Sequence, residues 1–401
     1  MPDKLIGLFL SALILVSGAF GASKSQVLHH QGIKFRVLHH FTGGDDGCCI
    51  LGGLARDRKG DLYGVTYSNN DLHGDGLLFK LTHIKSGYRF HVLQTFSRDT
   101  TGRECVTTPA PDKYETLFGV CEAGGSDDKG TLWEYSRSKG LILLHSFTGP
   151  DDGMSPEDSV ALDDAGNIYG TTDTWGPGLN GTLWEYSPST GTFVLLHSFS
   201  DGEDGGFPSG GPRIDRKTGL LWGGTFFGPN CHYCGHGTIW NYDPSSGMFT
   251  TVLNFENTEI NQVLSRLIVD GDGNVFGTSG GGPGGIVFEL QKNNNYNPAV
   301  LYQFNAGNDG ESPYGRVRFD NHRNLFGTTV FGGDFGCGTA YELTHKNGAW
   351  QETILHSFDC TDGYQLASGL KTDHKGNWFG TAAYGGKYNA GTVFEISGVR
   401  P

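Results

Sequence analysis

The segment FFGPNCHYCGHGT, residues 226 to 238, places two thiols and two imidazoles within six residues: Cys231, His232, Cys234 and His236. Thiolate and imidazole groups bind zinc and copper, and two nearby cysteines also form disulfides. Haem attachment through a C-x-x-C-H motif is excluded because Gly235 follows Cys234. Six residues are few to surround one tetrahedral ion. We therefore expect a Cys231–Cys234 disulfide and no metal site, with zinc or copper ligation and pairing of these cysteines elsewhere as alternatives.

The N-terminus has the three-part pattern of a secretory signal. Lys4 precedes an apolar run over residues 5 to 16, and small residues ending at Gly21 follow. This pattern predicts a signal peptide over residues 1–21 and a short segment over residues 22–34. No second apolar run of about 18 residues follows, so we expect no membrane span and a secreted or periplasmic protein.

The net charge and composition of the chain limit the binding partners and the fold class that can be expected. The chain has 401 residues and a formal net charge of -14, which disfavours nucleic acid because its phosphates would be repelled. A bulk anionic polymer is disfavoured for the same reason, unless a local basic patch or bridging calcium binds it. The 65 glycines and abundant aromatic residues favour many short strands joined by tight turns. An all-β fold is predicted.

Three sequence markers recur seven times in the same order. One is an apolar strand ending in Phe, as in the LHSF segments; the second is an aromatic residue followed by Gly; the third is a GTLWEY-like segment. The repeated Phe residues are Phe41, Phe96, Phe147, Phe199, Phe255, Phe304 and Phe358. A period near 50 residues with four strand-sized segments per unit is typical of a propeller blade.

We therefore predict a seven-bladed β-propeller with four strands per blade over residues 35–396, and a tail over residues 397–401. A strand-like segment at residues 35–41 precedes the first complete unit, and the chain ends after a third-type strand. The N-terminal strand is thus expected to complete the seventh blade, which removes an open sheet edge.

The combined pattern, from the Asp-Gly turn through GN[LIV][YF]GTT and GT[VL][FW]E[LY] to LHSF, resembles the GloVer tandem-repeat family of exported bacterial proteins. The resemblance covers residues 35–396. Unit two lacks the Asp-x-x-Gly-Asn hairpin, and unit five lacks the Asp-Asp-Gly turn. The resemblance implies an exported propeller-like protein and no established activity.

The inner strands of the later units carry cations where the earlier units carry small residues. These cations are Arg213, Arg266, Arg316, Arg318 and Lys371. Guanidinium groups bind carboxylate or sulfate in a bidentate manner, so half of the channel could seat an anion. The alternative is that the cations pair with the Asp that ends each inner strand and with neighbouring blades.

The connections that follow the outer and second strands are predicted to share one face of the propeller. This assignment places all eight cysteines on that face and favours the pairs Cys105–Cys121 and Cys337–Cys360, with Cys48 and Cys49 as a vicinal pair or free thiols. Aromatic residues near the rim suit sugar stacking, or alternatively pack between blades. They are Trp175, Phe227, Phe331 and Tyr384.

Two further repeated features favour structural roles. The Asp-Asp-Gly turns are expected to bond nearby backbone amides, with calcium binding or acid–base chemistry as the alternative. The repeated outer-strand histidines lie far from the channel and are expected to be structural. They are His39, His145, His197 and His356.

Three functions remain open. The first is an exported monomer that binds a glycan or a cell-surface protein through its loop face, without a cofactor unless calcium takes part. The second is a polysaccharide lyase or hydrolase. In a lyase, Arg266 and Arg316 would neutralise a uronate and His73, His232 or His236 would act as the base. The third is a structural component of an envelope or matrix. Convergence of a base and the arginines in one pocket distinguishes the second from the others.

Overall fold

A computed structural model describes residues 32–69, 74–229, 236–256, 258 and 260–399. Within them the chain forms seven antiparallel sheets of four strands each. A single 3-10 turn, Lys292–Asn294, interrupts the strand succession. The predicted all-β, seven-bladed propeller is confirmed.

The four strand types differ in length and position. The inner strands are β2 (Ala55–Arg56), β6 (Ala110–Pro111), β10 (Ala161–Leu162), β14 (Gly206–Ile214), β18 (Ile268–Val269), β22 (Arg318–Phe319) and β26 (Lys371–Thr372). The second strands are β3 (Leu62–Val65), β7 (Leu117–Cys121), β11 (Ile168–Thr172), β15 (Leu221–Phe227), β19 (Val275–Ser279), β23 (Leu325–Thr329) and β27 (Trp378–Ala382). The third strands are β4 (Leu77–Ile84), β8 (Thr131–Ser136), β12 (Thr182–Ser187), β16 (Thr238–Asp243), β20 (Ile286–Gln291), β24 (Thr339–Lys346) and β28 (Thr392–Ser397). The outer strands are β1 (Lys34–His40), β5 (Gly87–Thr95), β9 (Gly140–Ser146), β13 (Thr192–Ser198), β17 (Met248–Asn254), β21 (Asn297–Gln303) and β25 (Ala349–Ser357).

The seventh blade contains both ends of the propeller. Its strand order is β1-β28-β27-β26, and the register runs from Lys34 opposite Ser397 to His40 opposite Thr392. The N-terminal strand therefore supplies the outer strand of this blade, as the repeat count predicts, and pairs with the edge of β28.

The repeated aromatic-Gly marker has a packing cause within each blade. The third strand places an aromatic ring directly over the glycine of the second strand, as in the pair Gly170 and Trp184. A Cβ on Gly170 would lie 2.2 Å from the Trp184 ring, and one on Gly223 would lie 2.1 Å from the Trp240 ring. Only glycine leaves room for these rings, so the marker recurs in every unit.

The repeated outer-strand Phe forms the seams between blades. Phe147 of the second blade lies 5.6 Å from the Trp184 ring of the third blade, and Phe41 of the seventh lies 5.3 Å from Phe79 of the first. Each of these rings is buried. The other five seams contain the pairs Phe96 and Trp133, Phe199 and Trp240, Phe255 and Phe288, Phe304 and Tyr341, and Phe358 and Phe394.

An Asp at the end of each inner strand closes the hairpin to the second strand. In the DGDGN segment, Asp270 Oδ1 accepts hydrogen bonds from the backbone amides of Asp272 and Asn274, each at 2.9 Å. This segment forms a tight hairpin. In the part of the chain that the structure describes, no helix is long and apolar enough to cross a bilayer.

Candidate functional site: the channel and its loop face

The connections after the outer and second strands meet on one face of the propeller, here called the loop face. Short antiparallel bridges join the two connections of one blade at equivalent places in six units. They pair Cys48 with Ser68, Arg103 with Ala123, Met154 with Thr174, Val263 with Ser279, Glu311 with Phe331, and Tyr364 with Tyr384. Each bridge brings loop residues to the end of the inner strand, so the loop face surrounds one mouth of the channel.

The inner-strand cations converge in the channel. Arg213 and Lys371 lie on the fourth and seventh blades, which do not adjoin. Burial is the largest cause that lowers the pKa of Lys371, and charges of Arg318, Arg316, Arg56 and Arg213 lower it further. Arg318, Arg316 and Arg56 lie on the two blades that adjoin the seventh, whereas the effect of Arg213 on this amine is exerted from across the axis.

Two of the arginines also connect neighbouring inner strands. Arg266 is 7% exposed; its Nε donates a hydrogen bond to the Pro212 carbonyl at 3.0 Å, and its Nη2 donates to Pro212 at 2.6 Å and to Val160 at 3.3 Å. Arg318 Nε donates to the Leu370 carbonyl at 3.1 Å. These bonds hold the guanidinium groups in place without neutralising their charge.

Within the described ranges, Asp158 acts electrostatically on Arg266 and Arg316, and Asp215 on Arg213, but without an ion pair. None of the five forms an ion pair there, and the buried Nε of Arg213 has no hydrogen-bond partner. The inner-strand Asp residues accept bonds from their own hairpin amides instead, as Asp320 and Asp373 do. Pairing with these Asp residues, one part of the alternative drawn from the sequence, is therefore not observed among the described residues, whereas Arg266 and Arg318 do bond neighbouring blades, which is its other part.

The missing counter-charge affects the proton affinity of the guanidinium groups. Burial, and then the charge of Arg316, lowers the pKa of Arg266 to about 9 and that of Arg213 to about 10. Burial lowers the pKa of Arg316 as well, and the carboxylate of Asp158 opposes this shift. An anion in the channel would favour the charged form of all three.

A cluster of carboxyl groups occupies the opposite side of the loop-face mouth, on blades two and three. Glu122 follows β7, Asp173 follows β11, and Glu157 and Asp158 precede β10. Burial raises the pKa of Glu122, Glu157 and Asp173, and their mutual repulsion raises those of Glu122 and Asp173 further. A hydrogen bond between Glu157 and Asp173 opposes the rise in the pKa of Glu157 and adds to the rise in the pKa of Asp173. The mouth is thus acidic on one side and basic on the other.

In the ranges that the structure describes, no three His, Cys, Asp or Glu side chains are arranged to hold a metal ion.

Two of the predicted rim aromatics lie at the loop-face surface. Trp175 is 37% exposed, and Lys129 Nζ lies 5.3 Å from its ring centroid. Tyr384 is half-buried and stacks on Tyr364 with the centroids 5.3 Å apart. Its hydroxyl also bonds the Cys49 thiol. These rings lie on different blades around the mouth.

The other two aromatics are less accessible. Phe227 is 7% exposed and packs edge-on against Phe207 and Phe226, with centroids 5.2 and 5.1 Å away. Phe331 is half-buried, and its backbone pairs with Glu311. Phe227 thus makes the packing contacts that were the alternative to sugar stacking.

The candidate histidine bases are distributed differently from the arginines. His73 and His232 lie outside the described residues, together with Cys231 and Cys234 and their predicted disulfide. His236 is half-buried, and its Nδ1 is buried without a hydrogen-bond partner. His236 lies between the second strand β15 and the third strand β16 of the fourth blade.

The repeated outer-strand histidines contact the next blade through ring stacking. His197 Nε2 lies 2.9 Å from Asp204 Oδ2, and the imidazole stacks on Phe249 of the next blade with the centroids 3.7 Å apart. Asp204 also accepts from the Ser200 amide, so the Asp-Asp-Gly turn is a capped turn. The same arrangement recurs in the sets His39, Asp46 and Phe90; His145, Asp152 and Phe193; and His356, Asp362 and Phe35.

Disulfides join neighbouring loops of the loop face. Cys105 pairs with Cys121, and Cys337 pairs with Cys360, as predicted. The second bond connects the sixth blade to the loop that enters the seventh. The buried Cys48 and Cys49 form a vicinal pair whose sulfur atoms are 2.6 Å apart.

The sequence analysis did not identify the carboxyl cluster or Arg56. A signal was present: Glu122 and Asp173 are the third residues after the glycine of the aromatic-Gly marker. The equivalent residues of the other blades are Tyr67, Phe226, Gly280, Val330 and Ala383. Acidic residues thus occur at this position in two adjacent units only.

A family model described as the Gloeobacter/Verrucomicrobia repeat matches residues 73–285 and 234–399. No curated protein matches the chain.

Solved structures with a similar fold come from several kinds of bacterial protein. Virginiamycin B lyase from Staphylococcus aureus is 11% identical with a TM-score of 0.57, covering 91% of this chain and 98% of its own. The extracellular domain of a hybrid two-component system from B. thetaiotaomicron is 14% identical with a TM-score of 0.59, covering 92% of this chain and 43% of its own. PorZ, a surface component of the type-IX secretion system of Porphyromonas gingivalis, is 13% identical with a TM-score of 0.54, covering 89% of this chain and 47% of its own. At these identities the likeness concerns the fold alone.

Proposed function

We propose that this chain, which belongs to the Gloeobacter/Verrucomicrobia repeat family, binds an anionic glycan at the loop-face mouth of its channel. The carboxylate or sulfate group of the glycan would lie against the channel cations. One observation carries the proposal: five cationic side chains from four blades converge without an ion-pair partner among the described residues. They are Arg213, Arg266, Arg316, Arg318 and Lys371.

The channel cations have no ion-pair partner among the described residues, so their mutual repulsion is only partly offset. Like charges that lie close together in a partly dehydrated channel raise the free energy of the folded protein, and an anion between them lowers it. A guanidinium fork matches the two oxygens of a carboxylate or sulfate. The protein as a whole carries a charge of -14, so the channel is a local positive region in an acidic molecule.

The aromatic residues around the channel mouth favour a sugar as the molecule that carries the anionic group. Trp175 offers an exposed ring, and Tyr384 offers a partly accessible ring with a hydroxyl. Flat rings pack against the apolar faces of sugars, and the carboxyl pair Glu157 and Asp173 can both donate and accept hydrogen bonds with hydroxyl groups. The two disulfides suit an oxidising compartment outside the cytoplasm, where such polymers are found.

Calorimetric titration with uronate, sulfated and neutral oligosaccharides tests the proposal. We expect uronate or sulfated ligands to bind, neutral ones to bind at least about 10-fold more weakly, and affinity to fall as salt is raised. The double substitution Arg266→Gln with Arg316→Gln should abolish the preference for charged ligands. Arg137→Gln on the exposed surface is the matched control. Equal binding of neutral and charged ligands, or no binding of either, would overturn the proposal.

A polysaccharide-active enzyme is the second candidate, and the carboxyl pair favours it. Glu157 and Asp173 are hydrogen-bonded to each other and burial raises the pKa of both, and the adjacent Asp158 acts electrostatically on Arg266 and Arg316. Carboxyl groups of raised pKa beside a cation can serve as the acid and base in a reaction on a uronate. In this enzyme candidate, the carboxyl pair acts as the base, which the sequence analysis had assigned to a histidine.

Incubation with uronate polymers distinguishes this candidate from simple binding. New ultraviolet absorbance from unsaturated products would indicate a lyase, and new reducing ends without absorbance would indicate a hydrolase. Asp173→Asn should abolish either activity while leaving charged-ligand binding in place. A bound polymer that stays intact over long incubation would remove the enzyme candidate and leave binding alone.

A further inference from the structure

Lys371 occupies a distinctive position among the channel cations. It begins β26, opposite Phe379 of β27, and it is the residue after Leu370, whose carbonyl accepts the bond from Arg318 Nε. The backbones of the sixth and seventh blades also approach closely here, since a Cβ on Gly369 would lie 2.2 Å from the Arg316 carbonyl oxygen. The amine therefore belongs to the residue next to the carbonyl that Arg318 bonds.

The charges of arginines on several blades act on this amine. They are Arg318 and Arg316 of the sixth blade, Arg56 of the first and Arg213 of the fourth. Burial and these charges together lower the pKa of Lys371 to about 7. A large fraction of the side chain is therefore the free amine at neutral pH, which is the nucleophilic form.

The amine is also available for reaction. Within the described ranges Lys371 Nζ has no hydrogen bond and no ion pair, and its side chain is partly accessible. Small residues, Ala55, Ala110 and Ala161, stand at the equivalent positions of the first three blades. Arg316 and Arg318 can hold a carboxylate beside the amine.

We propose that Lys371 captures an anionic carbonyl compound, such as a 2-oxo acid or an aldehyde acid, as a reversible imine. The Nζ lone pair adds to the carbonyl carbon, and the resulting carbinolamine loses its oxygen as water. The balance is one amine plus one carbonyl giving one C=N bond and one water, with no change of oxidation state. This inference rests on the proposed function, because the arginines must first bind the carboxylate.

Reductive trapping tests the inference. The intact mature protein is incubated at pH 7 with glyoxylate and cyanoborohydride, which reduces an imine to a stable carboxymethyl group on the lysine, and the modified lysines are located by peptide mass spectrometry. We expect Lys371 to be modified at least about 10-fold faster than the exposed Lys346. Acetaldehyde, with two carbons and no charge, should show at most a small preference for Lys371. Glyoxylate labelling of Lys371 no faster than Lys346 overturns the inference.

Two variants separate this inference from the proposed function. Lys371→Arg keeps the positive charge and removes the nucleophile, so we expect retained calorimetric binding of glucuronate and loss of the fast glyoxylate label. The double substitution Arg316→Gln with Arg318→Gln should weaken glucuronate binding and also slow the glyoxylate labelling of Lys371. Glucuronate binding without fast labelling of wild-type Lys371 contradicts the imine and preserves the binding function. Equally fast labelling of Lys371 by both aldehydes, without glucuronate binding, contradicts the anionic ligand in both proposals.

Discussion

The imidazole of His356 stacks on the ring of Phe35 with the centroids 3.7 Å apart and the planes 3° from parallel. His356 lies near the end of β25 in the sixth blade, and Phe35 lies in the N-terminal strand β1 that completes the seventh. His356 Nε2 is held in turn by Asp362 Oδ2 at 2.6 Å. The contact thus fastens the closing strand to the neighbouring blade.

Loss of this contact should loosen the closure of the propeller. Phe35→Ala is expected to lower the free energy of unfolding by about 2 kcal/mol, because the ring is only partly buried. Denaturant unfolding measures the change, and hydrogen exchange should show faster opening of β1 and β28. Val92→Ala on an exposed outer-strand position is the control. Equal effects of the two substitutions would show that the stack does not fasten the strand.

The glycine under a third-strand ring should not tolerate a methyl group. Gly170→Ala is expected to destabilise the protein by about 3 kcal/mol, because the new Cβ would lie 2.2 Å from the Trp184 ring. Combination with Trp184→Leu should recover part of this loss, so the double variant is less destabilised than the sum of the singles. Gly271→Ala, with nothing within 4 Å of its Cβ, is the control and should change little. Strict additivity in thermal or denaturant unfolding would contradict this packing argument.

The Asp-Asp-Gly turns, whose Asp bonds an outer-strand histidine, should make the free energy of unfolding depend on pH in the acid range. Burial raises the pKa of Asp152, but hydrogen bonds from His145 and Thr148 outweigh it and the pKa is lowered. A lowered carboxyl pKa stabilises the folded state above the unfolded value near 3.9, and this contribution is lost as the pH falls through the folded pKa. Asp152→Asn should therefore lower the free energy of unfolding by about 1 to 3 kcal/mol at pH 7.

The difference between wild type and Asp152→Asn should shrink steadily below about pH 4. Unfolding curves across the acid range measure it. Asp151→Asn, at the exposed neighbouring position, should have little effect at any pH. A difference that stays constant down to pH 2 would mean that the side chain acts through shape rather than charge.

Removal of the channel amine should stabilise the protein near neutral pH. The folded pKa of Lys371 is about 7 and the unfolded value is near 10.4, so the unfolded chain binds more protons between these values and stability rises with pH across that window. Lys371→Met should raise the free energy of unfolding by about 1 to 4 kcal/mol at pH 7, as replacement of a buried charge often does. The gain should fall as pH approaches 10.

The exposed Lys346→Met serves as the reference for this measurement and should leave stability unchanged. A Lys371→Met variant that is less stable than wild type at pH 7 would indicate that the amine has a favourable partner in the channel.

The sequence by itself determined the architecture of this protein. Each blade is a local unit of about 50 residues, so its markers recur in order and carry their own physical reason: glycine under a ring, Phe at a seam, Asp in a hairpin. The role of β1 in closing the ring also followed from the strand count. The chain begins with an outer-type strand that belongs to no complete unit, and the last unit lacks an outer strand, so the first is expected to complete the last. The two local disulfides could be anticipated because they join loops that the repeat places side by side.

Only the tertiary structure decided which charges meet. Lys371, Arg316, Arg213 and Arg56 come from four blades, and no local pattern states that the charges of the three arginines act on the Lys371 amine. The carboxyl pair Glu157 and Asp173 depends in the same way on a loop and a strand end brought together by the loop face. Electrostatic coupling depends on distances in space and on burial, and both are properties of the closed ring of blades rather than of any single repeat.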